Sequence, residues 1–352
     1  MSLEILPTEI LFQITNHLST CEQVVNMMKT SKYFHHVINS NLEYILKNNS
    51  SKEQLKEAFK SVLVSKQTSI ANRFMDNLNL GFDQNLQFWL TKFGNLEMLK
   101  HFLEDKNRFK NYDLNSGLNI ACKCGSVEKT IFLLTQGASI KQLTSCLKMQ
   151  INAEEGNLEM VKLMCNFNNP SCGSNKPLFV SLLNGHIDIA KYLFTFEEVV
   201  TVFKNDECFL SDLIRGNANV KSIKFVLKNG CDLNYKNCKS LRTVCKYGRH
   251  KLIKHLVAQK EINGRLKNGS QLIIRPAAVY NKPKIFRELF KFDWFDPMYK
   301  GKKLLIQTCL DYGSYKALKV LVNHPKVKER TRLLSNLLDS KDMKTVLKYM
   351  EN

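Results

Sequence analysis

Eleven cysteines and eight histidines are the residues of this chain best suited to hold a metal or serve as nucleophile and base. The cysteines are scattered singly; Cys122 and Cys124 are the closest pair, and no C-x-x-C occurs, so neither zinc-ligand spacing nor a dithiol redox motif is present. Cys122, Cys165, Cys245 and Cys309 fall inside predicted helices, where a thiol packs as a small apolar group. Single thiols without a pairing pattern point to a reducing compartment. His35 and His36 are adjacent and cannot put both rings on one helix face. His186 and His250 each follow a glycine at the start of a predicted helix, where a local hydrogen bond is the simple role. Gly264 to Gly269 is too sparse in glycine to cradle a phosphate. With no zinc, nucleotide or triad pattern, the chain reads as non-enzymatic, with no cofactor and no metal.

The chemistry that remains is electrostatic. The chain carries a net charge of +20, and residues 236 to 352 hold 27 Lys and Arg against 9 Asp and Glu, a balance of +18. The first 235 residues hold 25 against 23, a balance of +2. General lysine richness explains abundant lysine, but not why acidic residues fall away at one end only. A basic binding surface is therefore expected, with Lys236, Lys239, Arg265, Lys267, Lys300, Lys302 and Lys303 as its candidates; Lys326, Lys328, Arg330 and Arg332 form another dense run. Such a surface attracts an acidic protein. Nucleic acid is the less favoured partner, because Phe286, Phe290, Phe292, Trp294 and Phe295 mostly read as core and packing between neighbouring helical units and not as a stacking row.

The elements that position these residues recur. Gly94, Gly125, Gly156, Gly185, Gly216, Gly248, Asn281 and Gly313 stand at intervals of 31, 31, 29, 31, 32, 33 and 32. Gly94 to Leu103, Gly156 to Cys165 and Gly185 to Phe194 share one form, with apolar residues at +2, +5 and +9. Lysine stands at +6 in five units, as Lys100, Lys162, Lys191, Lys254 and Lys319. Each unit reads as helix, glycine turn, helix, the glycine closing the first helix in the left-handed region, where Asn281 is the next-best residue. The unit at Gly216 carries two extra residues before its second helix resumes near Ile223.

This array resembles ankyrin repeats, whose unit of about 33 residues holds a β-turn and two antiparallel helices. Gln136-Gly137-Ala138 and Asn229-Gly230-Cys231-Asp232 look like the family's exit from the second helix into a hairpin loop, and Lys176-Pro177-Leu178-Phe179 is the best remnant of its Thr-Pro-Leu-His opening. Tetratricopeptide repeats are close in length, but their Trp, Leu-Gly and Tyr markers are absent, and HEAT units are too long.

Residues 3 to 46 have no glycine and follow another pattern. Leu6, Pro7, Glu9, Ile10, Leu11, Ile14 and Leu18 place a proline at a helix start and an apolar stripe behind it. Two shorter helical patterns follow, Val24 to Met28 and Ser31 to Ile38. The segment resembles an F-box, whose opening reads Leu-Pro-x-Glu-(Ile/Val)-Leu-x-x-Ile. It departs from that family at Met28 to Ser31, where Val-Cys is usual, and in lacking the closing tryptophan. An amphipathic three-helix cap shielding the first repeat is the structural alternative.

The expected fold is therefore all-α, an F-box-like three-helix unit followed by an ankyrin-repeat solenoid. Its parts are an F-box-like domain at 1–48, a divergent first repeat or connector at 49–80, about eight ankyrin repeats at 81–332, and capping helices at 333–352. The F-box resemblance implies docking to a Skp1-like adaptor through Leu6, Pro7, Ile10, Leu11, Ile14 and Leu18, with the array selecting a target protein for an SCF-type ubiquitin ligase. Two alternatives stand beside this reading. One is an ankyrin scaffold that sequesters a host protein without recruiting a ligase; the other is a nucleic-acid-binding solenoid. The order of the two parts and the abundance of Lys and Asn resemble the F-box and ankyrin proteins of giant DNA viruses of amoebae, whereas poxvirus relatives place the F-box at the other end. That resemblance implies a monomer within a hetero-complex in the host cytoplasm, with a basic last third compatible with nuclear entry. No apolar run approaches a membrane span, and the acid-containing start does not read as a secretory leader.

Overall fold

A computed structural model describes residues 52–64, 66, 68–77, 83–104, 112–142, 144–231, 235–259, 262, 271–298 and 304–350. The expected F-box-like domain at 1–48 lies outside them. The described residues are helical throughout, with no strand among them. They divide into two compact units, one of residues up to Asn152 with Glu159–Asn168, the other of Ala153–Leu158 with residues from Asn169 onward.

The first unit contains α1 (Lys52–Val64), α2 (Thr68–Asn77), α3 (Gln84–Phe93), α4 (Leu96–Glu104), α5 (Leu114–Lys123) and α6 (Val127–Thr135). These are three successive antiparallel pairs. The first helices α1, α3 and α5 pack in one file, and the second helices α2, α4 and α6 in another. The division between units falls within the next pair, α7 (Cys146–Glu155) and α8 (Leu158–Cys165).

The second unit repeats the scheme. Its first helices are α9 (Cys172–Asn184), α12 (Phe209–Arg215), α14 (Tyr235–Tyr247), α16 (Arg275–Val279) and α18 (Leu305–Asp311). Its second helices are α10 (Ile187–Leu193), α13 (Val220–Lys228), α15 (His250–Val257), α17 (Pro283–Leu289) and α19 (Tyr315–Val322). Each file again packs along its own length, and the final helix α22 (Ser340–Met350) closes against α19, after the short α20 (Pro325–Lys328) and α21 (Thr331–Ser335). One helix breaks the alternation. Where a hairpin loop was expected between α10 and α12, α11 (Glu197–Asn205) packs on α9 and buries Val199 and Phe203. Their i, i+4 spacing is helical, and Phe203 joins edge-on contacts running from Phe194 through Phe209 to Phe179.

The glycine register holds at most units and needs correction at two. Gly125, Gly156, Gly185, Gly248 and Gly313 have φ between +62° and +88°, and Asn281 has φ +50°. Gly94 instead ends α3 in extended backbone at φ −61°. Gly216 has φ −73°, and the left-handed residue of that turn is Asn217, at φ +70°. The reason is visible in the hydrogen bonds. The His186 amide, just past Gly185, donates to the Ser181 carbonyl, and the Ala218 amide makes the equivalent bond to Leu213. The first helix of the Gly216 unit therefore runs one residue longer before it is closed. The second helix α13 then starts four residues after Gly216, against two after Gly185, which accounts for the two extra residues.

The buried stripe of the second helices also differs from the +2, +5, +9 reading. Fully buried positions are +4, +5 and +8: Met98, Leu99 and Phe102 in α4, and Ile189, Ala190 and Leu193 in α10. The +2 and +9 residues Leu96, Leu103, Ile187 and Phe194 are half-buried. At about 100° per residue, +4 and +8 lie on one line with +5 beside them, and +2 and +9 fall on the stripe's flank. The lysines at +6 stay outward, as Lys100, Lys191, Lys254 and Lys319 are exposed.

Within each unit, one set of hydrogen bonds links a repeat to the one before it. The last turn of a helix has carbonyls without intrahelical partners. In the first unit Lys129 Nζ donates to the Thr91 carbonyl at 2.8 Å, and Asn152 Nδ2 to the Cys122 carbonyl at 2.9 Å. In the second, His186 Nε2 meets the Glu154 carbonyl at 3.0 Å, the Arg249 guanidinium reaches the Ile214 and Ala218 carbonyls, and Ser314 Oγ donates to Val279. His186 thus has the local role expected of it; in the Gly248 unit that role belongs to Arg249, the neighbour of His250. Lys129 is buried, and desolvation lowers its pKa from the ordinary lysine value; its carbonyl partner offsets that cost.

Two stability outcomes follow. Gly156 has φ +85°, and a Cβ there would sit 2.5 Å from Cε1 of His186, which is held by its bond to Glu154. Gly156→Val should cost about 2 kcal/mol in a urea melt, and an unchanged midpoint would refute this register. Arg249→Ala removes two guanidinium hydrogen bonds, one to the Ile214 carbonyl in the last turn of α12 and one to Ala218 in the turn after it, and should cost about 2 kcal/mol, whereas Arg249→Lys, which keeps charge but not the fork, should recover only part of it.

Candidate partner-binding surfaces

The sequence nominates two candidate partner surfaces. The six apolar residues Leu6, Pro7, Ile10, Leu11, Ile14 and Leu18 all lie outside the described residues, as do Arg265, Lys267, Lys300, Lys302 and Lys303. Lys236 and Lys239 both fall on α14, the first helix of the Gly248 unit.

This helix has one apolar and one basic face. Cys238, Leu241, Val244 and Cys245 are buried, and desolvation pushes the Cys245 thiol well above its ordinary pKa, so it packs as an apolar group. On the other side stand Lys239, Arg242 and Lys246, spaced i, i+3 and i+7, which is one stripe of an α-helix. Lys236 stands three residues before Lys239 in the sequence, and Cys238 between them has a left-handed backbone at φ +56°. Lys239 is half-buried, with Nζ 3.1 Å from Cys208 Sγ; Arg242 and Lys246 are exposed.

Between α14 and the next first helix, α16, this stripe borders a cleft of about 400 Å³ lined by Lys239, Arg242, Thr243, Lys246, Pro276 and Tyr280. Thr243 Oγ1 is turned inward to the Lys239 carbonyl at 2.8 Å. Lys246 Nζ sits 5.1 Å from the ring centroid of Tyr280 and 5.7 Å from that of Tyr247, a cation–π arrangement that holds the ammonium over the rim. Among the described residues lining the cleft there is no carboxylate. Arg242, Thr243, Lys246 and Tyr280 were not among the candidates read from the sequence. The i, i+3, i+7 basic spacing from Lys239 was the available signal for Arg242 and Lys246; that Tyr280, from the next repeat, completes the cleft is a tertiary fact.

Other cations of the basic third serve the fold. Besides Arg249, Lys326 Nζ reaches the Asp293 and Phe295 carbonyls at 3.2 and 3.3 Å, and Arg330 pairs with Asp296 at 3.0 Å. Most aromatics of this region behave as packing groups: Phe286 and Phe295 are buried, Phe290 lies tilted against Phe295 and His324, and the half-buried Phe292 and Trp294 stack on each other. Among the described residues no group of three or more His, Cys, Asp and Glu is placed to hold a metal ion, and no helix is long and apolar enough to cross a membrane.

Comparison with known families matches residues 3–46 to the F-box domain. An F-box domain is thus present at the N-terminus of the chain. F-box domains are non-catalytic adaptor modules of SCF-type ligases and imply a Skp1-like partner. No curated protein matches the chain.

Proposed function

We propose that this chain is the substrate-recognition subunit of an SCF-type ubiquitin ligase, its F-box docking a Skp1-like adaptor and its helical repeats binding the protein to be modified. The observation that carries the reading is the union of an F-box at residues 3–46 with a long array of stacked helix pairs. The first is a docking module. The second is an extended surface of first-helix faces and connecting loops, which suits recognition of another macromolecule.

We read the array as ankyrin repeats. The helix pair per period, the left-handed residue closing most first helices, and the intervals near 32 residues support it. The α11 helix in place of a loop marks a divergent member. The Lys- and Asn-rich composition and the F-box-first order further support a place among the F-box and ankyrin proteins of amoebal giant viruses, acting in the host cytoplasm as one copy per complex.

The physical basis of adaptor docking is apolar burial. A short segment with Leu6, Ile10, Leu11, Ile14 and Leu18 carries more apolar surface than it can cover by itself. Leu6→Ala combined with Ile10→Ala removes several methylenes at about 0.8 kcal/mol each, about 3 to 5 kcal/mol in total. Co-purification with a Skp1-like adaptor should therefore succeed with the parent chain and fail with the double variant, while the far-ultraviolet circular dichroism stays unchanged. If the parent chain recruits no adaptor, the array is a sequestering scaffold and the ligase reading falls.

A further inference from the structure

The cleft between α14 and α16 combines three cations, one aromatic wall and no lining carboxylate. The three cations that most plainly complete the fold in this region, Arg249, Lys326 and Arg330, are directed at carbonyls or at Asp296. Arg242 and Lys246 are exposed and face the cleft. No carboxylate among the lining residues balances the charge they project.

The geometry selects among anionic partners. Lys239 and Lys246 are seven residues apart on one helix, which spreads the charge over about 10 Å along the axis. A single phosphate spans much less than that. An extended peptide places alternate side chains on one face about 7 Å apart, so two or three carboxylates at alternate positions match the stripe. Nucleic acid is disfavoured by the aromatic wall. The Tyr280 ring has Lys246 Nζ over it, which leaves that face without the open platform base stacking uses. The cleft volume of about 400 Å³ suits a few side chains of a peptide.

We propose, building on the reading of the array as the target-binding part, that the α14–α16 cleft is the docking site for an acidic segment of the target protein. In that segment, Asp or Glu side chains at alternate positions pair with Lys239, Arg242 and Lys246, and the aliphatic parts of the segment rest on Pro276 and Tyr280. The guanidinium of Arg242 supplies a bidentate contact to one carboxylate, and the two ammonium groups act as point charges on either side. The partner is thus recognised by the spacing of its charge as well as by its sign.

The test uses the full chain and a fluorescein-labelled oligoglutamate peptide, with binding read by anisotropy at physiological salt. Arg242→Glu with Lys246→Glu changes two exposed residues and should weaken binding about tenfold or more. Lys251→Glu with Lys254→Glu makes the same change in net charge on exposed positions of α15 in the same repeat, and should leave binding within about twofold, because a screened net charge acts weakly over distance. Equal loss in both variants would show diffuse attraction to a basic protein and overturn the cleft. So would failure of the parent chain to bind the peptide, or tighter binding of oligothymidine with the same loss in the cleft variant. Adaptor co-purification is run on the same samples. An adaptor-binding chain with no cleft effect sinks this inference alone, whereas a cleft effect in a chain that recruits no adaptor sinks the ligase reading and leaves the cleft standing.

Discussion

Carbonyls in the last turn of a first helix accept side-chain hydrogen bonds from the repeat that follows, and much of the array follows from that linkage. Lys129, Asn152, His186, Arg249 and Ser314 each reach back about one period, 30 to 38 residues, to such a carbonyl. Each such bond contributes about 1 kcal/mol, so a repeat lacking its successor loses polar contacts as well as the cover of its apolar face. The same contact dictates the glycine at Gly156. A side chain arriving from the next repeat occupies the space where a Cβ would stand, and the left-handed backbone that brings the chain round excludes most other residues.

This constraint also sorts the charge. The basic third is not a uniform coat. Arg249 and Lys326 hold carbonyls together and Arg330 holds Asp296, whereas Arg242 and Lys246 face an open cleft. Replacing the first kind should lower stability, and replacing the second should change what the chain binds. The proposed adaptor role would draw on that separation, because a stack stabilised by neighbour contacts allows surface residues to change at little cost to the fold.

Much of the array was legible because the period is written mainly in residues that tolerate a left-handed closure. Five of the seven periodic glycines and Asn281, at φ +50°, take that conformation, whereas Gly94 ends its helix in extended backbone. Gly216 misled because Asn217 beside it serves equally well, and the helix took one more residue before closing. The buried stripe was displaced because the half-buried flank at +2 and +9 is also apolar, as in Leu96 and Phe194; composition alone does not separate flank from core. The α11 helix was hidden in a segment expected to be a loop, although Val199 and Phe203 carried a helical spacing. Of the binding surfaces, the sequence led to the α14 stripe through Lys236 and Lys239. It could not supply Tyr280, thirty-seven positions on from Thr243, because which first helix lies beside which is decided by packing.

The central claim, that an F-box at residues 3–46 makes this helical array a ligase subunit, is tested most directly by calorimetric titration of a purified Skp1-like adaptor into the full chain at several temperatures. The account predicts a one-to-one complex of submicromolar affinity whose binding heat grows more exothermic on warming, the negative heat-capacity change of apolar burial. An absence of binding heat at every temperature, or a heat-capacity change near zero, would contradict it.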